Sequence, residues 1–300
     1  MLRRFPFLNH FRKATPAPSA LQEDIPHLPD LILAAGKLAV MLQPGRHGQR
    51  RYGTGEDFWQ FRPYNPPEPA SLIDWKQSAR SLDETMLWVR EREKQTPRPL
   101  MLWVDPSPSM KWRSTQTLPT KYETALTAAL ALGQAALHAG ESVATLEQRR
   151  FFTGTHFLPR LALNLSHIQG NFPNFRLIPP HATIMIVSDF LWDDATLEKL
   201  ARECRNRPGK TGLLAILDPA ECNFPYSGSL KFTSEEAEPS LELTSDEIVQ
   251  KHYQAILRRH LETLVQLSHK YAGVFYFLHH NEKPLLPSLM SLKALLGDKA

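Results

Sequence analysis

The stretch Leu100–Trp112 reads LMLWVDPSPSMKW and marks a change in the character of the chain. Its first five residues are apolar, which is typical of a strand that a parallel sheet buries on both faces. An acid, Asp105, then follows at the carboxyl end of the predicted strand, and two serines, Ser107 and Ser109, come at alternate positions. This stretch therefore predicts both a central strand and a polar loop at its end.

Downstream of Pro99, apolar strands alternate with helices. The segments ATIMIVSDF and TGLLAILD predict two further buried strands, and TKYETALTAALALGQAALHAG, residues 194–206 and residues 245–271 predict helices. This alternation predicts an α/β fold with a doubly wound, mostly parallel sheet. Ligands of such sheets bind beyond the carboxyl ends of the strands, where Asp105 and Asp189 both lie.

Other segments give weaker signals. A helix is predicted at about 30–42, and strands are predicted near 57–62, 72–77 and 85–93 and in SVATLEQ and RRFFTG. A helix at about 159–168, short strands in SLKFTS and SLELTS, a strand in GVFYFLHH and a helix in LPSLMSLKALLG complete the pattern. We expect a flexible arm and linker over residues 1–28, a helix plus a β-rich region over 29–97, and the α/β domain over 98–300.

Composition favours a globular protein of the cytoplasm. Hydrophobic residues make up 42% of the chain, and a net charge of +4 gives no reason to expect nucleic-acid binding. The apolar run Leu31–Leu42 is shorter than the roughly 20 residues that cross a bilayer, and two cysteines without a framework spacing suit a reducing compartment. Aromatic and basic residues alternate in MLRRFPFLNHFRK, which allows weak contact with an anionic membrane surface as an alternative to a mobile arm.

The polar loop after the first strand has two interpretations. One carboxylate and two hydroxyls, joined by Asp189 from a second strand end, form the oxygen-only ligand set that Mg²⁺ prefers. Alternatively, Pro106 and Pro108 mark a turn in which Ser109 caps a short helix. A metal-dependent hydrolase that uses the two acids is a further alternative, although no general base stands at a suitable spacing. The glycines that flank a hydrolase serine are absent from the sequence around Ser109.

Several motifs in order resemble the bacterial domain of unknown function family 58. They are GRHGQRRYGTGEDFWQFRPYNPPEPASLIDWKQSARS, VREREK and LWVDPSPSM, and they include Arg62 and Tyr64, Ile73-Asp74-Trp75 and Ser78-Ala79-Arg80. The resemblance implies a von Willebrand factor A-like domain that carries a metal-ion-dependent adhesion site. It also implies association with MoxR-type AAA ATPases that mature or remodel protein complexes.

Carried over to this chain, the resemblance implies a Mg²⁺ site formed by Asp105, Ser107, Ser109 and Asp189. The threonine of such sites has no clear counterpart, since Thr153 and Thr155 fall on a predicted hairpin, so the site could also be a degenerate one without metal. We expect a non-enzymatic adaptor that binds a MoxR-type ATPase and a client protein. The candidate partner-binding residues are Arg46, Arg50, Arg51, Arg62, Asp74, Trp75 and Arg80. For Ile73-Asp74-Trp75, the alternative is an anchor for the β-rich region in which Asp74 pairs with an arginine.

Overall fold

A computed structural model describes residues 27–43, 58–81, 86–92, 99–148, 150–232, 241–245 and 247–296. The chain divides into two compact units, a larger one of residues 1–44 with 98–300 and a smaller one of residues 45–97. In chain order the helices and strands are α1 (Leu28–Leu42), β1 (Phe58–Pro63), α2 (Trp75–Ser78), β2 (Trp88–Arg92), β3 (Leu100–Val104), α3 (Lys121–His138), β4 (Val143–Thr145), α4 (Leu158–Ser166), β5 (Thr183–Ser188), α5 (Asp194–Arg205), β6 (Thr211–Leu217), α6 (Pro219–Asn223), β7 (Gly228–Phe232), β8 (Leu241–Ser245), α7 (Glu247–Lys270), β9 (Val274–His280) and α8 (Leu286–Leu296).

A five-stranded parallel sheet forms the centre of the larger unit. Its strand order is β4-β3-β5-β6-β9, and every neighbouring pair is parallel. Strands β3 and β6 are buried along their whole length, as their unbroken apolar sequences predict. The predicted α/β fold with a mostly parallel sheet is confirmed. Since the strands run the same way, the residues that follow β3, β5 and β6 come out at one edge of the sheet.

Helix α3 packs across the middle of this sheet. It begins with a capping box, in which the Thr120 hydroxyl accepts from the Glu123 amide and the Glu123 carboxylate accepts from the Thr120 amide. Its Ala- and Leu-rich sequence is buried over most of its surface. A close approach occurs at Gly133, where an added Cβ would lie 3.0 Å from Leu161 and 3.1 Å from Leu102. Glycine at this position therefore lets α3 contact both β3 and α4.

Helix α1 belongs to the larger unit. The predicted domain boundaries instead place this helix with the β-rich region, in residues 29–97. Its small residues Ala35 and Ala39 are fully buried, and the helix packs against α3, α4 and α8. The Lys293 ammonium donates to the Leu42 carbonyl and joins α8 to the end of α1. Leu33, Val40 and Met41 remain exposed on α1.

The smaller unit contains one antiparallel pair, β1 with β2. The prediction of a strand over 72–77 is wrong, because this segment forms a 3-10 turn at Ala70–Leu72 and then α2. Only Ile73 pairs in strand fashion, with Val89. The Asp74 carboxylate accepts from the Gln77 amide at 3.0 Å and so caps a helical turn where alternation had suggested a strand.

The segment RRFFTG is the second departure from the predicted pattern. Only Phe152 bridges to Val143, and no longer strand forms among its described residues. Gly154 follows with a φ of 84°, which turns the backbone into a 3-10 helix at Thr155–Phe157 and then into α4. Two predictions on the N-terminal arm and on Arg46, Arg50 and Arg51 lie outside the described residues. Among the described helices, none has the length and apolar content needed to cross a membrane.

We expect Leu130→Ala to lower the free energy of unfolding by about 2–5 kcal/mol, because Leu130 is fully buried on α3 and its truncation leaves a cavity. Leu33→Ala on α1 is the matched control, since Leu33 is 61% exposed. Urea denaturation of both variants measures the difference. Equal effects of the two substitutions would contradict the packing described for α3.

Candidate functional site at the carboxyl ends of the strands

Asp105 lies at the end of β3 and is fully buried. Its Oδ1 accepts from the Ser107 amide at 2.9 Å, and its Oδ2 accepts from the Ser188 hydroxyl at 2.5 Å. Burial, together with the nearby Asp189 carboxylate, raises the pKa of Asp105 to about 6 despite these hydrogen bonds. The loop therefore places a carboxyl group where burial and a second carboxylate disfavour its charge.

Ser107 and Ser109 belong to the same loop, which continues as a 3-10 helix at Pro108–Lys111. Their hydroxyl oxygens are 3.1 Å apart. A hydrogen bond from Ser109 contributes to lowering the pKa of Asp189, so the loop of β3 reaches the end of β5. Ser109 lies inside the 3-10 helix and is not its cap, because the N-cap position is held by Ser107. The structure thus brings the four predicted site residues together.

A buried lysine accompanies these residues. Lys121, the first residue of α3, is fully buried, and its Nζ lies 2.9 Å from Asp189 Oδ2 and 2.5 Å from Glu221 Oε1. The second oxygen of each acid accepts from a backbone amide, that of Leu191 for Asp189 and that of Asp218 for Glu221. One ammonium therefore joins α3, the end of β5 and helix α6.

The pKa directions identify the dominant pair. Burial alone would lower the pKa of Lys121, but Asp189 and Glu221 raise it above its ordinary value. Burial would raise the pKa of Asp189, yet Lys121 keeps that pKa low. The pKa of Glu221 is raised, because burial and the neighbouring Asp189 outweigh the attraction of Lys121. The ammonium thus stabilises the charge of Asp189 first and that of Glu221 second.

Further hydrogen bonds connect the remaining strand ends. Asp218, after β6, accepts from the Ser114 amide at 3.0 Å, and this contact joins the loops of β3 and β6. Asn281, after β9, accepts from the Thr124 hydroxyl on α3 and donates to the Pro119 carbonyl. The carboxyl edge of the sheet is consequently held by one continuous polar network.

The donor set can be tested for its fit to Mg²⁺. Octahedral ligands at about 2.1 Å place neighbouring oxygens about 3 Å apart, and the separation of Ser107 and Ser109 agrees with that value. Asp189, however, already holds the Lys121 ammonium. Its Oδ2 accepts from that ammonium and its Oδ1 accepts from the Leu191 amide, so a divalent ion at Asp189 would have to displace one of these partners and would lie beside a positive charge. With Lys121 in this position, Asp105, Ser107, Ser109 and Asp189 do not fit together as a Mg²⁺ site.

The same contacts bear on the hydrolase alternative. Asp189 and Glu221, the other two buried acids of the network, both accept hydrogen bonds from Lys121. A general base needs an accessible lone pair near its substrate, whereas Asp105, Asp189 and Glu221 are at most 3% exposed. The described contacts therefore place these three acids in a buried network of ion pairs and hydrogen bonds.

The predicted partner-binding residues of the smaller unit have separate environments. Arg62 forms an ion pair with Glu68 at 3.0 Å. Asp74 caps α2, Trp75 is 62% exposed, and Arg80 is exposed just after that helix. Ile73 is buried beside β2. The structure thus presents Trp75 and Arg80 outward near one short helix.

Sequence reasoning missed Lys121, Ser188 and Glu221. A signal for Lys121 existed, since α3 is rich in alanine and leucine and a charged residue that is buried in such a helix requires a partner. Glu221 is the last residue of the motif LDPAE at residues 217–221. This motif forms the capping box of α6, and the sequence patterns did not predict that helix. Neither signal revealed that these two residues meet Asp189.

We expect Asp105→Asn to raise the free energy of unfolding near pH 8 by up to about 3 kcal/mol, since a rise in pKa from 3.8 to about 6 corresponds to about 1.4 kcal/mol per pH unit. A raised acid pKa means that the folded state binds the proton more tightly. Wild-type stability therefore falls as the pH rises from about 4 to about 6, and the variant lacks this fall.

Urea denaturation of wild type and variant across this pH range measures the difference. Asp194→Asn, at an exposed position of α5, is the control and should not raise the free energy of unfolding near pH 8. A variant that is less stable than wild type near neutral pH would contradict the assigned environment of Asp105.

Comparisons with known proteins agree with the sequence motifs over part of the chain. Among the solved structures that it resembles is a conserved hypothetical protein BatB from Bacteroides thetaiotaomicron, at 14% identity and a TM-score of 0.33, which covers 67% of this chain and 100% of that one. Another is an aerotolerance-related membrane protein from Bacteroides fragilis NCTC 9343, at 12% identity and a TM-score of 0.34, which covers 67% of this chain and 98% of that one. No curated protein matches the chain. Residues 60–159 match the family described as protein of unknown function DUF58, and this segment contains most of the motifs on which the resemblance rests.

Proposed function

We propose that this protein is a non-enzymatic interaction module that docks a partner protein through the surface around Trp75. The observation that carries the proposal is the exposure of Trp75, which is 62% accessible within the family-matched segment. Tryptophan and arginine dominate the residues that contribute most to protein–protein binding. Trp75 and the exposed Arg80 are therefore the proposed contact residues.

The helix that presents Trp75 is fixed by hydrogen bonds on both sides. Asp74 accepts from the Gln77 amide, and the Ser78 hydroxyl donates to the Asp74 carbonyl at 2.9 Å. The Trp88 amide donates to the same Ser78 hydroxyl at 2.9 Å, and the Asp74 amide donates to the Trp88 carbonyl at 2.8 Å. Because these hydrogen bonds fix the backbone that carries Trp75, little backbone entropy is lost when a partner binds there.

The partner class follows from the family resemblance. We propose a MoxR-type AAA ATPase as the partner, with the module acting as its adaptor in the maturation or remodelling of client complexes. The von Willebrand factor A-like character of the parallel sheet belongs to the same proposal. The strand-end site is consistent with this proposal, because its buried acids form an ion-pair network and are not accessible to a partner.

We expect Trp75→Ala to weaken binding to the MoxR-type ATPase by a factor of about 30 or more, which corresponds to the roughly 2 kcal/mol lost at a binding hot spot. Lys76→Ala is the control on the next residue of α2, which is also exposed. Calorimetric titration of the purified ATPase with each variant provides the measurement.

The melting temperature of Trp75→Ala should equal that of wild type, because an exposed side chain contributes little to the core. Binding that survives Trp75→Ala and Arg80→Ala together would refute the proposed surface. The absence of any binding by the wild-type protein would refute the partner class.

A further inference from the structure

We propose that the Lys121 ammonium is the resident cation of the strand-end site, so that the site keeps its structure without a divalent metal. The inference starts from geometry. The Nζ atom lies 2.9 Å from Asp189 and 2.5 Å from Glu221 and has no exposure to solvent. It thereby provides the positive charge that neutralises the Asp189 carboxylate.

The location of Lys121 in α3 supports a dedicated role. It is the first residue of the helix, where the helix dipole disfavours a positive charge. Burial of an ammonium costs several kcal/mol unless it is paired and hydrogen-bonded. The two carboxylates offset both costs, so their negative charge, and not the helix, stabilises a buried ammonium at this position.

Asp105 is satisfied separately from the lysine. Its two oxygens accept from the Ser107 amide and the Ser188 hydroxyl, and the Ser188 hydroxyl oxygen also accepts from the Phe190 amide at 2.9 Å. The Ser107 and Ser109 hydroxyls share one hydrogen bond, and Ser109 also forms a hydrogen bond with Asp189. Every oxygen donor of the predicted metal set therefore has a protein partner.

The two carboxylates that hold Lys121 come from different strand ends. Asp189 follows β5, and Glu221 lies in α6 after β6, where the Tyr253 hydroxyl also donates to the Glu221 carbonyl at 2.8 Å. A metal at this edge would bind reversibly and would make the loop order depend on its concentration. The ammonium of a lysine is covalently attached to the chain, so the loops stay ordered at any metal concentration.

The first experiment titrates the wild-type protein with Mg²⁺, Ca²⁺ and Mn²⁺ at millimolar concentration and follows the melting temperature. A ligand that binds only the folded state raises the melting temperature. We expect no upward shift with any of the three ions. A shift that disappears in Ser107→Ala and in Asp189→Asn would overturn the proposal.

The second experiment removes the charge of the lysine. Lys121→Met keeps the length of the side chain and leaves Asp189 and Glu221 without a cation, so we expect a lower melting temperature and a new upward shift with divalent ions. Lys111→Met, at an exposed position of the neighbouring 3-10 helix, is the matched control and should show neither effect.

Adding Asp189→Asn to Lys121→Met should abolish the divalent response, which ties the response to this site. A Lys121→Met protein with unchanged stability and no divalent response would overturn the proposal. If Lys121→Met does not fold, the wild-type titration decides alone. Neither experiment involves the partner protein. A result that overturns the proposal on Lys121 therefore does not affect the proposed docking surface around Trp75.

Discussion

The ion pair between Lys121 and Asp189, shared with Glu221, is the interaction on which the strand-end edge of this protein depends. It joins residues that are 68 and 100 positions apart along the chain. A buried charge that loses its partner typically costs 3–5 kcal/mol, about as much as the truncation of a large core side chain. The position of α3 over the sheet and the order of the loops after β5 and β6 are therefore coupled.

The parallel topology explains why this one contact affects so many elements. All five strands direct their carboxyl ends to one edge, and acids follow three of them, at Asp105, Asp189 and Asp218. Their negative charges need compensation by hydrogen bonds or by a cation, because burial disfavours charged carboxylates. Backbone amides and hydroxyls satisfy Asp105 and Asp218, and the lysine satisfies Asp189. In the smaller unit, by contrast, Trp75 is exposed on a capped turn.

Much of the fold could be predicted from local patterns, and much of the site could not. Unbroken apolar runs predicted β3, β5 and β6, and the residues after them predicted the position of the polar edge. The stretch around Asp74 was read as a strand because alternating polarity does not reveal a helix cap. The metal prediction rested on four residues that do converge, yet Lys121 was not counted among them. Its partners come from separate elements, and their meeting is set by tertiary packing that no local pattern contains.

The central claim is that an ammonium and not a metal ion neutralises Asp189. A high-resolution crystal structure grown in the presence of Mg²⁺ tests this most directly. The account predicts that Lys121 Nζ remains bonded to Asp189 and Glu221, with no ion coordinated by Ser107 and Ser109. An octahedral ion on those hydroxyls, with Lys121 turned away from Asp189, would contradict it.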